Sequence, residues 1–135
     1  MKSWVFDTNV IVAAHLSAFG RPGRLLAEVY ACRLRLTYDA RMAEEYREVL
    51  LRPKFGLPQQ TVRSFLRVLD DQDLVIAPPL RVELPDPDDL MFIEVAAMCD
   101  AGVLVTGNLR HFPMESRGSV QVLSPAEAWE TLNAE

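Results

Sequence analysis

Four stretches of the 135-residue chain carry side chains able to do chemistry: Asp7-Thr8-Asn9, Glu45, Asp86-Pro87-Asp88-Asp89 and Thr106-Gly107-Asn108. All of them offer oxygen donors. Each alone has an ordinary structural explanation. Asp7 suits the N-cap of a helix as well as a reactive carboxylate, and Asn108 after Gly107 is normal turn chemistry. A single acid in the 86–89 segment would be an N-cap favoured by the helix dipole. Three acids within four residues repel one another, and a divalent cation exploits such a concentration. Oxygen-only carboxylate clusters suit Mg2+ or Mn2+ rather than zinc.

Glu45 can be placed by periodicity alone. Met42, Tyr46, Val49 and Leu50 form an apolar helical stripe, and Glu45 follows Met42 by three and precedes Val49 by four, so it lies on that stripe. Glu44 and Glu48 point away, to solvent. An unpartnered buried ion costs on the order of several kcal/mol, so Glu45 either snorkels at the rim, pairs with an Arg or faces a cation. At this level the Arg partner and the cation are equal alternatives.

Competing chemistries are missing. There is no GxGxxG, Walker A or GxSxG motif, and neither His15 nor His111 stands near a Cys or Ser in a catalytic arrangement. His15 reads as a structural or rim residue. Cys32 and Cys99 lack metal or redox spacing and are expected to be buried free thiols.

The elements that must position these residues alternate. Ser3 to Phe6 is an apolar run that switches to a helix after Asp7, from Asn9 to Ala18, which Phe19-Gly-Arg-Pro-Gly breaks. A helix from Arg24 to Cys32, a strand from Leu34 to Tyr38 and a helix N-capped by Asp39 and ended by Pro53 follow. Pro58 opens a fourth helix, with Val62, Phe65, Leu66 and Leu69 at helical spacing. Asp73 to Ala77 is a strand stopped by Pro78-Pro79. Leu90 to Met98 is apolar nearly all round apart from Glu94, as a sandwiched helix is. Strands Val103 to Thr106 and Ser119 to Leu123 precede a last helix opened by the capping box Ser124-Pro125-Ala126-Glu127. This predicts a single domain over residues 1–135, an α/β three-layer fold with a central, mostly parallel sheet of about five strands.

The net charge of -5 hides an asymmetry. Residues 21–67 hold ten basic groups against five acidic, whereas residues 68–108 hold nine acidic against Arg81 alone. Two solvated faces are the plain reading. Twelve of the 14 basic residues are Arg, whose planar fork permits a phosphodiester partner. No apolar run approaches the ~18 residues that span a bilayer, and Asp7 comes too early for a signal peptide. The expectation is a cytoplasmic protein without membrane contact.

The order Val5-Phe6-Asp7-Thr8-Asn9-Val10, then Glu45-x-x-Glu48-Val49-Leu50 with Arg52-Pro53, then Asp86-Pro87-Asp88-Asp89 with Phe92, then Val105-Thr106-Gly107-Asn108, resembles the PIN-domain ribonucleases. It is most similar to the toxin components of bacterial toxin-antitoxin pairs. The resemblance spans nearly the whole chain. It implies a three-layer α/β/α PIN-like fold and cleavage of single-stranded RNA with Mg2+ or Mn2+. It also implies an antitoxin protein as partner, and a homodimer.

Residue by residue, the resemblance assigns the acidic positions to Asp7, Glu45 and Asp89, as catalytic groups and metal ligands, with Asp86 a neighbouring ligand through water. The family's fourth acid falls on Asn108, which keeps a carbonyl oxygen and loses the charge. Thr8 and Thr106 match small polar positions that orient a water or a phosphate. Arg21 and Arg24, in the loop expected after the first helix, are favoured for holding the RNA backbone. Two other readings stay open: a catalytically weakened PIN-like module that binds RNA or a protein, which Asn108 would suit, and a receiver-type phospho-acceptor domain. The last is disfavoured because Asp73 to Ala77 ends in two prolines rather than an acceptor Asp.

Overall fold

The computed structural model describes residues 1–100 and 102–134. Trp4, Val5 and Phe6 are all buried, as a central parallel strand covered on both faces must be, and they form β1 (Ser3–Phe6). Then come α1 (Thr8–Leu16), α2 (Arg21–Tyr30), β2 (Arg35–Tyr38), α3 (Ala40–Leu50) and α4 (Gln59–Asp70). β3 (Asp73–Leu74), α5 (Leu90–Ala96), β4 (Val103–Val105), β5 (Gln121–Leu123) and α6 (Pro125–Asn133) complete the order.

The sheet runs β3-β2-β1-β4-β5 and every pairing in it is parallel. With helices above and below, this is a three-layer α/β/α arrangement of the expected class. The chain winds outward from β1 through β2 to β3, then crosses back to β4 on the other side of β1. The strand order therefore reverses between β1 and β4, and in open α/β sheets ligands bind beyond the carboxyl ends of the strands at such a reversal. Phe6 pairs in register with Val105, so Asp7 and Thr106 leave the sheet side by side. The Asp7 amide still donates to the Val105 carbonyl at 2.9 Å.

Several boundaries differ from the periodicity reading. α2 begins at Arg21 rather than Arg24, because Pro22 sits at the start of the helix, where a missing N–H costs nothing. Gly23 lets that first turn close on α1: a Cβ there would lie 2.5 Å from the Ala18 carbonyl oxygen. β3 is two residues long. Val75 donates one more bond to the Tyr38 carbonyl, after which the chain leaves for Pro78-Pro79, which have no N–H to offer. Cys32 is free but exposed, with φ 61° in the turn after α2, and Cys99 is free and half-buried; neither is the fully buried thiol expected.

Asp39 caps α3 by accepting from the Met42 amide at 3.0 Å. The capping box of α6 is complete, with Ser124 and Glu127 each accepting from the other's amide. In α5, Phe92 to Ala96 are all buried, Glu94 included at 3 % exposure. Its carboxylate pairs with Arg41 Nη1 at 2.8 Å and accepts from the Leu80 amide at 2.8 Å. Glu94 thus fastens the start of α3 and the loop before α5 to the core. Among the described residues no helix is long and apolar enough to cross a membrane.

Candidate active site at the β1/β4 switch point

Asp7 occupies the N-cap position of α1 but its side chain makes no capping hydrogen bond. The carboxylate, 5 % exposed, instead accepts from the Thr106 hydroxyl at 2.8 Å. Thr106 is wholly buried and its oxygen also accepts the Asn108 amide at 3.1 Å. A second tie crosses the same gap, where the Gly107 N–H donates to Asn9 Oδ1 at 3.1 Å. The ends of β1 and β4 are thereby locked together by side chains as well as by the sheet.

Burial raises the Asp7 pKa from 3.8 to about 6, against the pull of the Thr106 hydrogen bond and with the negative charges of Asp89 and Glu45 adding to the rise. Glu45 lies half-buried on α3 and accepts from the Thr8 hydroxyl at the first turn of α1. The hydroxyl of Tyr46, one residue on, donates to the Phe6 carbonyl beneath the carboxylates. Its phenol is held well above its usual range, chiefly by burial and then by Asp7 and Glu45.

Asp89 ends the 3-10 turn Pro87–Asp89, and its carboxyl is held above its ordinary value by burial. His111 pulls the other way, while Asp86 and Glu45 add to the rise. Asp86 itself is exposed and caps that turn by accepting from the Asp88 amide at 2.9 Å. Asn108 lies half-buried after β4, its Nδ2 2.9 Å from His111 Nε2. The opposite ring nitrogen, Nδ1, is 2.9 Å from Asp89 Oδ2.

Asp7, Glu45 and Asp89 are therefore electrostatic neighbours, with Asn108 and Asp86 at their border. Among the described residues no Lys or Arg is ion-paired with any of the three, so the Arg partner held open for Glu45 is not there. The Thr8 and Thr106 hydroxyls donate to the carboxylates of Glu45 and Asp7. Arg21 and Arg24 lie in the first turn of α2, not in a loop, and Arg24 stacks 6.0 Å from the centre of the Trp129 ring of α6. Neither bonds to the acidic cluster. His15 is structural, bonded to the Ile11 carbonyl at 2.8 Å and edge-on to Phe65.

His111 is the site residue that periodicity did not single out. Its only local signal is the three-residue step from Asn108 in a tight turn, and its other partner, Asp89, is 22 residues away.

A family model described as PIN domain matches residues 3–110, four-fifths of the chain, and covers every residue of this cluster except His111. The protein belongs to the PIN-domain family. The family is in general one of nucleases that use divalent metals. No curated protein matches the chain.

The donor chemistry fits such an ion. Three mutually repelling carboxylates, two with raised pKa values and, among the described residues, none ion-paired with Lys or Arg, form an all-oxygen environment that a doubly charged hard cation would relieve. The set is not closed: among the described residues no three His, Cys, Asp or Glu side chains come together as a finished ligand group. Glu45 is held by Thr8 and Asp89 by His111.

Proposed function

We propose that the protein is a divalent-metal-dependent endoribonuclease that cleaves single-stranded RNA, with Mg2+ or Mn2+ as cofactor. The observation that carries this reading is Asp7: a buried carboxylate at the strand-order reversal that has no Lys or Arg ion-pair partner among the described residues and lies within electrostatic reach of Asp89 and Glu45. A strand-end acid kept at that electrostatic cost is a site residue rather than a stabilising one. A bound divalent ion supplies an activated water and charge stabilisation for the leaving oxygen.

The chain's own contribution is positional. Asp7, Glu45 and Asp89 would hold the ion, with Asp86 adding negative potential and Asn108 a carbonyl oxygen. Thr106 and Thr8 keep Asp7 and Glu45 from turning away. Arg110, exposed in the 3-10 turn Leu109–His111, would meet an RNA phosphate, with Arg21 and Arg24 as more distant basic contacts. The role of toxin, with an antitoxin partner, a homodimeric state and a cytoplasmic location, is proposed on the motif resemblance.

A second reading, a weakened PIN module that binds RNA or protein without cutting, is favoured by Asn108 in an acidic position and by the open ligand set. Incubating a mixed RNA pool with the protein in Mn2+, Mg2+ or EDTA separates the two. Metal-dependent fragments support the nuclease; RNA retention without fragments in any metal supports the binding module.

A further inference from the structure

We propose that His111 is a positioning residue: its ring, bonded through Nδ1 to Asp89 and through Nε2 to the side-chain amide of Asn108, orients Asp89 and leaves Asn108 Oδ1 for the site. The inference rests on the nuclease reading and deepens it.

The polarity of both hydrogen bonds follows from what the partners can do. An ionised carboxylate only accepts, so the 2.9 Å contact with Asp89 Oδ2 places a hydrogen on Nδ1. An amide nitrogen only donates, so the 2.9 Å contact from Asn108 Nδ2 makes Nε2 the acceptor. One tautomer satisfies both, and each bond selects the same tautomer as the other. The side-chain amide of Asn108 has two ends, and the ring takes the nitrogen. Its Oδ1 is the end not engaged by the ring.

The backbone supports this arrangement. The His111 N–H donates to the Asn108 carbonyl at 3.1 Å, and the Asn108 N–H donates to the Thr106 hydroxyl that also serves Asp7. The path Asp89–His111–Asn108–Thr106–Asp7 is therefore continuous and joins two of the carboxylates by hydrogen bonds. The ring is 40 % exposed, yet both nitrogens are engaged, so it is held as an orienting group rather than as a free base. An Asp at position 108 would have no hydrogen to offer Nε2 in this tautomer. Asn108 and His111 thus form a matched pair: the charge lost from the family's fourth acidic position is accompanied by a fixed carbonyl oxygen and a fixed Asp89.

The direct test is the tautomer of His111 in the metal-free protein, read from ring 15N shifts. The chain has two His, so a His111→Gln sample assigns the signals. The hydrogen on Nδ1, with Nε2 as acceptor, is expected; a ring whose Nε2 carries a hydrogen overturns the proposal. Mn2+ binding measured by calorimetry gives the second readout. His111→Phe, with its fold checked by circular dichroism, should weaken Mn2+ about tenfold or more, the usual cost of removing a ligand's support. His111→Gln, whose amide provides both a donor and an acceptor, should recover most of that loss and serves where the Phe variant does not fold.

Asn108→Ala combined with His111→Phe should lose less than the sum of the two single losses, since the bond between the two side chains is removed by either change. Unchanged Mn2+ affinity in His111→Phe, no recovery by Gln, or additive losses each overturn the proposal. Absence of Mn2+ binding by the wild type would instead refute the metal-dependent reading, and the tautomer would still decide the His111 arrangement.

Discussion

Thr106 Oγ1 stands 2.8 Å from Asp7 Oδ2 and gives it its hydrogen, across two parallel strands that are neighbours in the sheet but 99 residues apart in the chain. The same oxygen receives the Asn108 amide. One buried hydroxyl therefore sets both the direction of the most buried site carboxylate and the path of the chain just after β4.

Thr106→Val tests this with little change in volume. It leaves Asp7 without its hydroxyl donor and the Asn108 N–H without its acceptor, which should cost about 1–3 kcal/mol by urea unfolding. The Asp7 pKa should move further up, and nuclease activity should fall even though Thr106 has no exposed surface.

Asp7→Asn should remove metal-dependent cleavage and stabilise the protein. Ionised Asp7 at neutral pH carries the cost of its shift from 3.8 to about 6, on the order of 3 kcal/mol at ~1.4 kcal/mol per unit. The amide escapes that cost and still accepts from Thr106. A lower unfolding midpoint in the variant at pH 7 would show Asp7 to be structural.

The same shift fixes the sign of the pH dependence. The folded state binds the Asp7 proton more tightly than the unfolded chain, so the destabilisation is fully present above about pH 6 and is relieved as pH falls toward 3.8. In EDTA, wild-type stability should rise relative to Asp7→Asn between pH 7 and pH 4. Parallel curves for the two proteins would contradict the assignment.

A second kind of buried carboxylate, one with a cation beside it, should behave in the opposite way. Glu94 is paired with Arg41 and bonded to the Leu80 amide, so Glu94→Ala strands the start of α3 and the loop before α5. A loss of roughly 3 kcal/mol is expected, with urea unfolding as the measurement. Burial alone does not mark a site: among the described residues Glu94 has a cation paired with it and Asp7 has none.

Much of this was legible in the chain. Asp7 follows an apolar run and precedes a helical one, and Glu45 falls on a stripe of Met42 and Tyr46, so both acids could be placed from spacing. Relationships carried by distant partners were not legible. Arg41 and Glu94 are 53 residues apart, and nothing local to either announces the pair. His111 is in the same position, since its role depends on Asp89 from another loop. The length of β3 depended on where the chain leaves Tyr38, which alternation cannot show. The start of α2 was readable in principle, because a Pro near the start of a helix is a signal for beginning one as well as for breaking one.

The most direct measurement is a Mn2+ titration of single-stranded RNA cleavage, with wild type and Asp7→Asn purified side by side and EDTA as the zero point. The account predicts saturable, EDTA-reversible cleavage by the wild type and none by the variant, with both proteins folded. Cleavage that persists in EDTA, or that Asp7→Asn performs as well as the wild type, would contradict it.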